Sequence, residues 1–366
     1  MKNTDFSFEN YQLQLENKLS ALKQQLRSAD IDFPKIEIFA SPKKNFRMRC
    51  EFRVWHEDDR SDYAMHDPET KQVYTLTDFP IASKAICERM PALMDAINAE
   101  PELRHRLFQV EFLATTKNEL LITLIYHRPL ESAWERRARE LEKELNAYII
   151  GRSRKQKLIL SQDYVTEEIQ VDDTIYSYQQ TENSFTQPNA AICQNMLQWA
   201  SDKAQEINPN TDKDLLELYC GNGNFSLPLS KQFRLVLATE VSKASVRSAQ
   251  FNIEDNAIEN VQIMRLSSEE TVQALNKVRE FRRLKDIDLD SYDFSTVFVD
   301  PPRAGLDETT IELIKQFEQI IYISCNPTTF INNVQSLDGY TIDSFAAFDQ
   351  FPYTDHLEIG AILKRV

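Results

Sequence analysis

DLLELYCGNGNFS, residues 214–226, runs an apolar strand straight into a turn with two glycines, and its reading decides the fold of the second half of the chain. Gly221 and Gly223 stand where a backbone must turn freely and come close to a ligand. Working outward, apolar runs recur at RLVLATE, VQIMRL, TVFVD and IIYISC, with helical lengths between them. Strand alternating with helix implies a parallel sheet covered on both faces. Antiparallel strands are expected near 340–348 and 357–364, so the reading is α/β: five parallel strands and a terminal β-hairpin in a doubly wound, Rossmann-like sheet.

The first half has a different grammar. Leu15, Leu19, Leu22 and Leu26 form one stripe of an amphipathic helix in YQLQLENKLSALKQQL, a packing element. From about residue 35 the period becomes two, in KIEIFA and then in RMRCEFRVWH, where Arg47, Arg49, Glu51 and Arg53 alternate with Met48, Cys50, Phe52 and Val54. Hairpins are expected around DPET (67–70) and TKNE (116–119), followed by the helix ESAWERRARELEKELNAY and a basic strand, IIGRSRKQKLIL. The expected domains are an N-terminal helix with a β-rich α+β domain over 1–180, and the α/β domain over 181–366. REFRRLKDIDLDS, 279–291, reads as an insertion loop.

Composition narrows the class. The chain has 366 residues, 42% of them hydrophobic, and a formal charge of −15. No apolar run spans a bilayer and the start, MKNTDFSFEN, is polar, so a cytoplasmic protein without membrane contact is expected. Five widely spaced cysteines without a CxxC pair argue against a disulfide framework, a metal site or an iron–sulfur cluster. A functional cysteine must then work as a free thiol. The acidic total speaks against nucleic acid, but 181–366 carries −11 of it and 1–180 only −4. Lys43, Lys44, Arg47, Arg49 and Arg53 form one basic run, and Arg152, Arg154, Lys155 and Lys157 another. Each alone is equally a solvated strand face; two in one half favour RNA.

Glu240 closes the strand LVLATE, where an acidic side chain can take both hydroxyls of a ribose. Because Asn224, Phe225 and Ser226 follow the second glycine, the GxGxxG pattern of dinucleotide sites is not met. The arrangement resembles the S-adenosylmethionine loop of Rossmann-like methyltransferases.

Two motifs then converge on one crevice. DPPR follows TVFV, its prolines fixing the direction of Asp300, and Cys325 closes IIYIS. Amino-group methyltransferases carry a similar tetrapeptide with an aromatic residue last; here Arg303 stands in that place. An exocyclic amine has its own lone pair, whereas carbon 5 of a pyrimidine needs a nucleophile added at C6 first. An unperturbed thiol is only roughly 3% ionised at neutral pH, so Arg303 or nearby N–H groups are expected to favour the Cys325 thiolate. A general base must later take the C5 proton, and Glu358 in HLEIGAIL is the candidate. His105, His127 and His356 have no metal-ligand spacing.

DPPRAGLD, ISCNPTT, LLELYCGNGNFSLPL and SFTQPNAAICQNM resemble the RNA 5-methyluridine methyltransferases. SPKKNFRMRCEFRVWH and FDQFPYTDHLE are similar to its tRNA (uracil-5-)-methyltransferase branch. The resemblance covers essentially the whole chain and implies methylation of the T-loop uridine of tRNA, with a similar loop in tmRNA as a second candidate. It implies Cys325 as nucleophile, Glu358 as proton acceptor, and methyl-donor contacts at Gln187, Tyr219, Asn224, Glu240 and Asp300. It also implies that Phe108 and His127 support the RNA loop; Arg47, Arg49, Arg53 and Arg303 are the further expected RNA contacts, and a monomer is expected. An amino-group methyltransferase and an RNA-folding factor are the competing readings.

Overall fold

The computed structural model describes residues 6–67 and 70–366. Residues 1–5 of the polar start and the tip of the DPET turn, residues 68–69, lie outside the described residues. The chain forms two compact units: one comprises residues 6–8, Pro42–Glu168 and Gln179–Ala190, the other Glu9–Ser41, Ile169–Tyr178 and Ala191–Val366. This corrects the expected division at 180. The helix Tyr11–Ser28 and the strand β1 (Ile36–Phe39) belong to the second unit, because the helix buries its leucine stripe there and β1 pairs in parallel with a strand of that unit's sheet, Ile36 opposite Phe345 and Phe39 opposite Phe348.

The first unit is built on a seven-stranded sheet. Its strands are β2 (Arg49–Glu57), β3 (Arg60–His66), β4 (Val73–Leu76), β5 (Leu107–Ala114), β6 (Leu120–Tyr126), β7 (Tyr148–Ser153) and β8 (Gln156–Ile159), in the order β4-β3-β2-β5-β6-β7-β8. All pairs are antiparallel except β6 and β7, joined by the helix Ser132–Leu145. Along β2 the alternation holds, with Cys50 and Phe52 buried and Glu51 and Arg53 exposed. IIGRSRKQKLIL is not one strand: it folds back as the β7–β8 hairpin, with Lys155 in the left-handed region at φ 62°. A two-stranded hairpin follows, β9 (Tyr164–Val171) with β10 (Thr174–Thr181).

The second unit's sheet adds β11 (Asp214–Leu218), β12 (Val236–Thr239), β13 (Val261–Met264), β14 (Phe294–Val299), β15 (Gln319–Ser324), β16 (Tyr340–Phe348) and β17 (Glu358–Arg365). The order is β1-β16-β17-β15-β14-β11-β12-β13. β11 to β15 run parallel and β17 inserts antiparallel between β15 and β16. Burial on both faces explains the unbroken apolar runs. Leu215, Val236, Phe298 and Ile321 share one face with Met196, Leu197 and Trp199 of the helix Ala190–Ile207. Leu216, Leu237, Val297 and Ile320 share the other with Leu15, Leu19, Leu22 and Leu26. At roughly 2 kcal/mol per buried leucine, that stripe docks the helix firmly. Gly360 lets β17 pass where a Cβ would come within 2.8 Å of the Trp199 ring. The insertion 279–291 contains only two short 3-10 turns, Arg282–Leu284 and Leu289–Ser291. Among the described residues no helix is long and apolar enough to cross a membrane.

Candidate active site

The candidate site residues come from strand ends along one edge of the second unit's sheet. Asp300 follows β14, Cys325 follows β15, and the glycine loop follows β11, all at carboxyl ends of parallel strands. β17 runs the opposite way, so its first residue, Glu358, lies on that same edge. Ser324 pairs with Ile359, and the next position outward sets Cys325 beside Glu358. The turn after Asp300 is tied to the helix after Cys325: Asn326 Nδ2 donates to the Arg303 carbonyl at 3.0 Å, and the Leu306 N–H donates to Asn333 Oδ1 at 2.9 Å. Asn326 also caps the helix Pro327–Gln335, its Oδ1 accepting from the Thr328 N–H.

Burial governs the electrostatics here. It pushes the Cys325 thiol up to about 11, with the charges of Glu358 and Asp300 adding to the shift and Arg303 opposing it. The expected support for a thiolate is therefore outweighed in the chain alone: one cation faces two carboxylates in a half-buried place. Burial, and then Asp300, raise Glu358 well above the usual carboxylate range, and burial raises Asp300 to about 7. A carboxyl with a raised pKa is, once ionised, a stronger base than an ordinary carboxylate.

The glycine loop is open where a ligand backbone contact is needed. Gly221 has φ 57° and nothing within 4 Å of a Cβ position, while Gly223 has φ 83°. Asn252 Nδ2 holds the loop through the Asn222 carbonyl at 2.9 Å. Glu240 follows β12 and accepts from the Gly221 N–H at 3.1 Å and the Ser242 N–H at 2.6 Å. Tyr219 takes the left-handed region at φ 61°, its hydroxyl 3.1 Å from Ser268 Oγ. Asn224 lies 3.6 Å from Cys193 Sγ. The helix after the loop is a single turn, Ser226–Leu229, shorter than the sequence pattern implies. The Glu240 carboxylate beside this loop is a group suited to the hydroxyls of a ribose. Gln187 belongs to the first unit, in Gln179–Ala190.

In the first unit three expected RNA contacts form one stack. The Arg53 guanidinium lies 3.9 Å from the centroid of the Phe108 ring, and that ring stacks on His127 at 4.0 Å and 25°. Phe108 sits where the β5–β6 register shifts, between Leu107 and Gln109, and such a bulge re-aims a side chain. Arg49 has another task. It donates to the carbonyls of Glu182 at 2.8 Å and Ser184 at 3.0 Å, closing the 181–184 turn with a half-buried guanidinium. Arg47 Nε donates to the Arg49 carbonyl at 2.9 Å. The second basic run is partly neutralised within the unit: Arg152 and Lys157 both pair with Glu182, and Lys157 also with Asp163.

His356, which has no metal-ligand spacing, places its ring 2.9 Å from Arg303 Nη2 at the site's edge. Burial, then Arg303, lower its pKa. Asn326, ahead of Pro327, carried a readable helix-cap signal; His356 and Asn333 carried none.

The chain matches the family model described as tRNA (Uracil-5-)-methyltransferase over residues 10–366. It is 55% identical over 359 residues to the tRNA/tmRNA (uracil-C(5))-methyltransferase of Saccharophagus degradans, covering 97% of each chain. It is 53% identical over 362 residues to the protein of the same name from Cellvibrio japonicus, covering 99% of this chain and 97% of that one. In fold it is similar to the Pyrococcus abyssi tRNA (uracil-54, C5)-methyltransferase solved with S-adenosyl-L-homocysteine, with TM-score 0.72, 22% identity, and coverage of 97% of this chain and 83% of that one. The chain belongs to the tRNA (uracil-5-)-methyltransferase family.

Proposed function

We propose that the chain methylates C5 of the T-loop uridine of tRNA, using S-adenosylmethionine and a covalent bond between Cys325 Sγ and C6 of the ring. The similar loop of tmRNA is the second proposed substrate, and the enzyme acts as a cytoplasmic monomer. One observation carries this reading: β15 and β17 set a thiol and a buried carboxyl side by side on the ligand edge of the sheet.

Glu240 and the backbone of Gly221 and Gly223 would hold the donor's ribose and main body, with Tyr219, Asn224 and Asp300 completing the pocket. When bound, the donor would supply a methyl group on a positively charged sulfur, which would leave as a neutral thioether keeping the electrons of the broken S–C bond. The Cys325 thiolate adds to C6, and the C5–C6 electron pair moves toward the C4 oxygen, making C5 nucleophilic. Arg303 stabilises negative charge at the sulfur before the bond forms. Once C5 carries the methyl group, Glu358 takes the C5 proton; the electrons of that C–H bond restore C5–C6 and expel the thiolate. Reaction at C5 requires the base out of its stack. The Arg53, Phe108 and His127 stack provides aromatic surface for the bases left behind.

The amino-group reading leaves the thiol and carboxyl without a task. Incubating unmodified tRNA with labelled donor and digesting it to nucleosides tests both. Label in 5-methyluridine from the T loop is expected; label on an exocyclic nitrogen overturns the proposal.

A further inference from the structure

The segment 349–357 leads directly into Glu358, and side chains of the helix Tyr11–Ser28 grip it. Lys18 Nζ donates to Asp349 Oδ1 at 2.7 Å and to the Phe351 carbonyl at 2.9 Å. Both partners are enclosed, their side chains 5% and 1% exposed. One turn earlier, Gln14 Oε1 accepts from the Tyr353 N–H at 2.8 Å, and the Tyr11 ring lies 6.0 Å from that of Tyr353. The Asp349 N–H donates to the Phe39 carbonyl of β1 at 3.0 Å. The far end of the segment reaches the reacting groups. His356 touches Arg303 at 2.9 Å and meets the Phe351 ring edge-on at 6.1 Å, and Glu358 comes two residues later.

Stability alone is a poor reason for this ion pair. Desolvating two charges costs about as much as their attraction returns, and apolar residues of similar size often do as well. A directional contact does something apolar packing cannot: it sets one register of the segment against the helix.

We propose that Lys18 and Asp349 are positioning residues, fixing the 349–357 segment so that Glu358, and Arg303 through His356, stay aligned with Cys325. This rests on Cys325 and Glu358 acting as nucleophile and proton acceptor. The N-terminal helix is then part of the catalytic apparatus as well as of the core.

Lys18→Met alone would strand the Asp349 charge, so the test uses the double variant Lys18→Met, Asp349→Asn in the full chain, with its fold checked by thermal melting. With KM for tRNA unchanged, kcat is expected to fall on the order of 10- to 100-fold, as small misplacements at a reacting centre do. A denaturant-stable protein–RNA adduct should accumulate, because proton removal lags behind methyl transfer. Gln14→Leu removes only the Tyr353 anchor at a half-buried position and should lower kcat several-fold with unchanged melting; it decides alone if the double variant does not fold. Parental kcat in the folded variants overturns the positioning role. Glu358→Gln, run in parallel, separates the two claims. If it turns over normally, the proton-acceptor assignment fails, and the positioning role with it. If it stalls as an adduct while the positioning variants keep parental kcat, only the positioning role fails.

Discussion

Alkylation of Cys325 by a small neutral reagent should be slow at ordinary pH and accelerate toward pH 11. Burial and the carboxylates of Glu358 and Asp300 raise the thiol from 9.0 to about 11. At pH 9 such a thiol is about 1% ionised, roughly fifty times less than an unperturbed one, and only the thiolate reacts. Arg303→Gln removes the opposing cation, so the half-maximal pH should rise and the rate fall at every pH below it. Glu358→Gln acts only where the native carboxyl is ionised. Since that carboxyl titrates well above its usual range, the variant should match the parent at low pH and react faster at high pH. Iodoacetamide labelling read by peptide mass spectrometry measures this without RNA, with the buried Cys50, Cys193 and Cys220 as internal controls. A half-maximal rate at or below pH 9 in the parent, or faster labelling in Arg303→Gln, would refute the reasoning.

Phe108→Ala removes the centre of the Arg53–Phe108–His127 stack; at ~1–3 kcal/mol per stacked base, kcat/KM for tRNA should drop about tenfold or more in steady-state assays while donor affinity holds, and unchanged kinetics would contradict the stacking role. Gly223→Ala forces a side chain to φ 83° with its Cβ 3.0 Å from Leu227 Cδ1. It should cost ~1 kcal/mol or more of stability and weaken donor binding; calorimetric titration and melting indistinguishable from the parent would count against the loop assignment. Burial raises Glu217 from 4.5 to about 8. Its folded value exceeds its unfolded one, so its contribution is fully present below pH 4.5 and lost as pH rises to about 8. Glu217→Gln should therefore raise the melting temperature at pH 8, by up to a few kcal/mol of stability, and change little near pH 4.5; a difference independent of pH would show the carboxyl is not the source.

The second unit was legible because its chemistry lies at strand ends. Apolar runs such as TVFVD and IIYISC, buried on both faces, announce parallel strands, and residues following such strands share one edge whatever the side chains between them. The N-terminal helix was legible only as a stripe. Leu15, Leu19, Leu22 and Leu26 declare that a surface covers them but not which one, and β1 bonds through its backbone to β16, some 300 residues away, a pairing without any residue signature. Charge misled in a related way. Arg152 and Lys157 read as a basic face until Glu182, distant in sequence, is seen between them. The thiol's state was hidden for the same reason: its two opposing carboxylates, Glu358 and Asp300, come from separate strands, and burial has no local code.

Trapping the reaction in Glu358→Gln tests the central claim most directly. Unmodified tRNA and the methyl donor are added, the protein is digested under denaturing conditions, and the cross-linked peptide is sequenced by mass spectrometry. The expected result is a uridine bearing an extra methyl group, bonded to Cys325. Free 5-methyluridine formed at the parental rate with no adduct, or an adduct on any other residue, would contradict it.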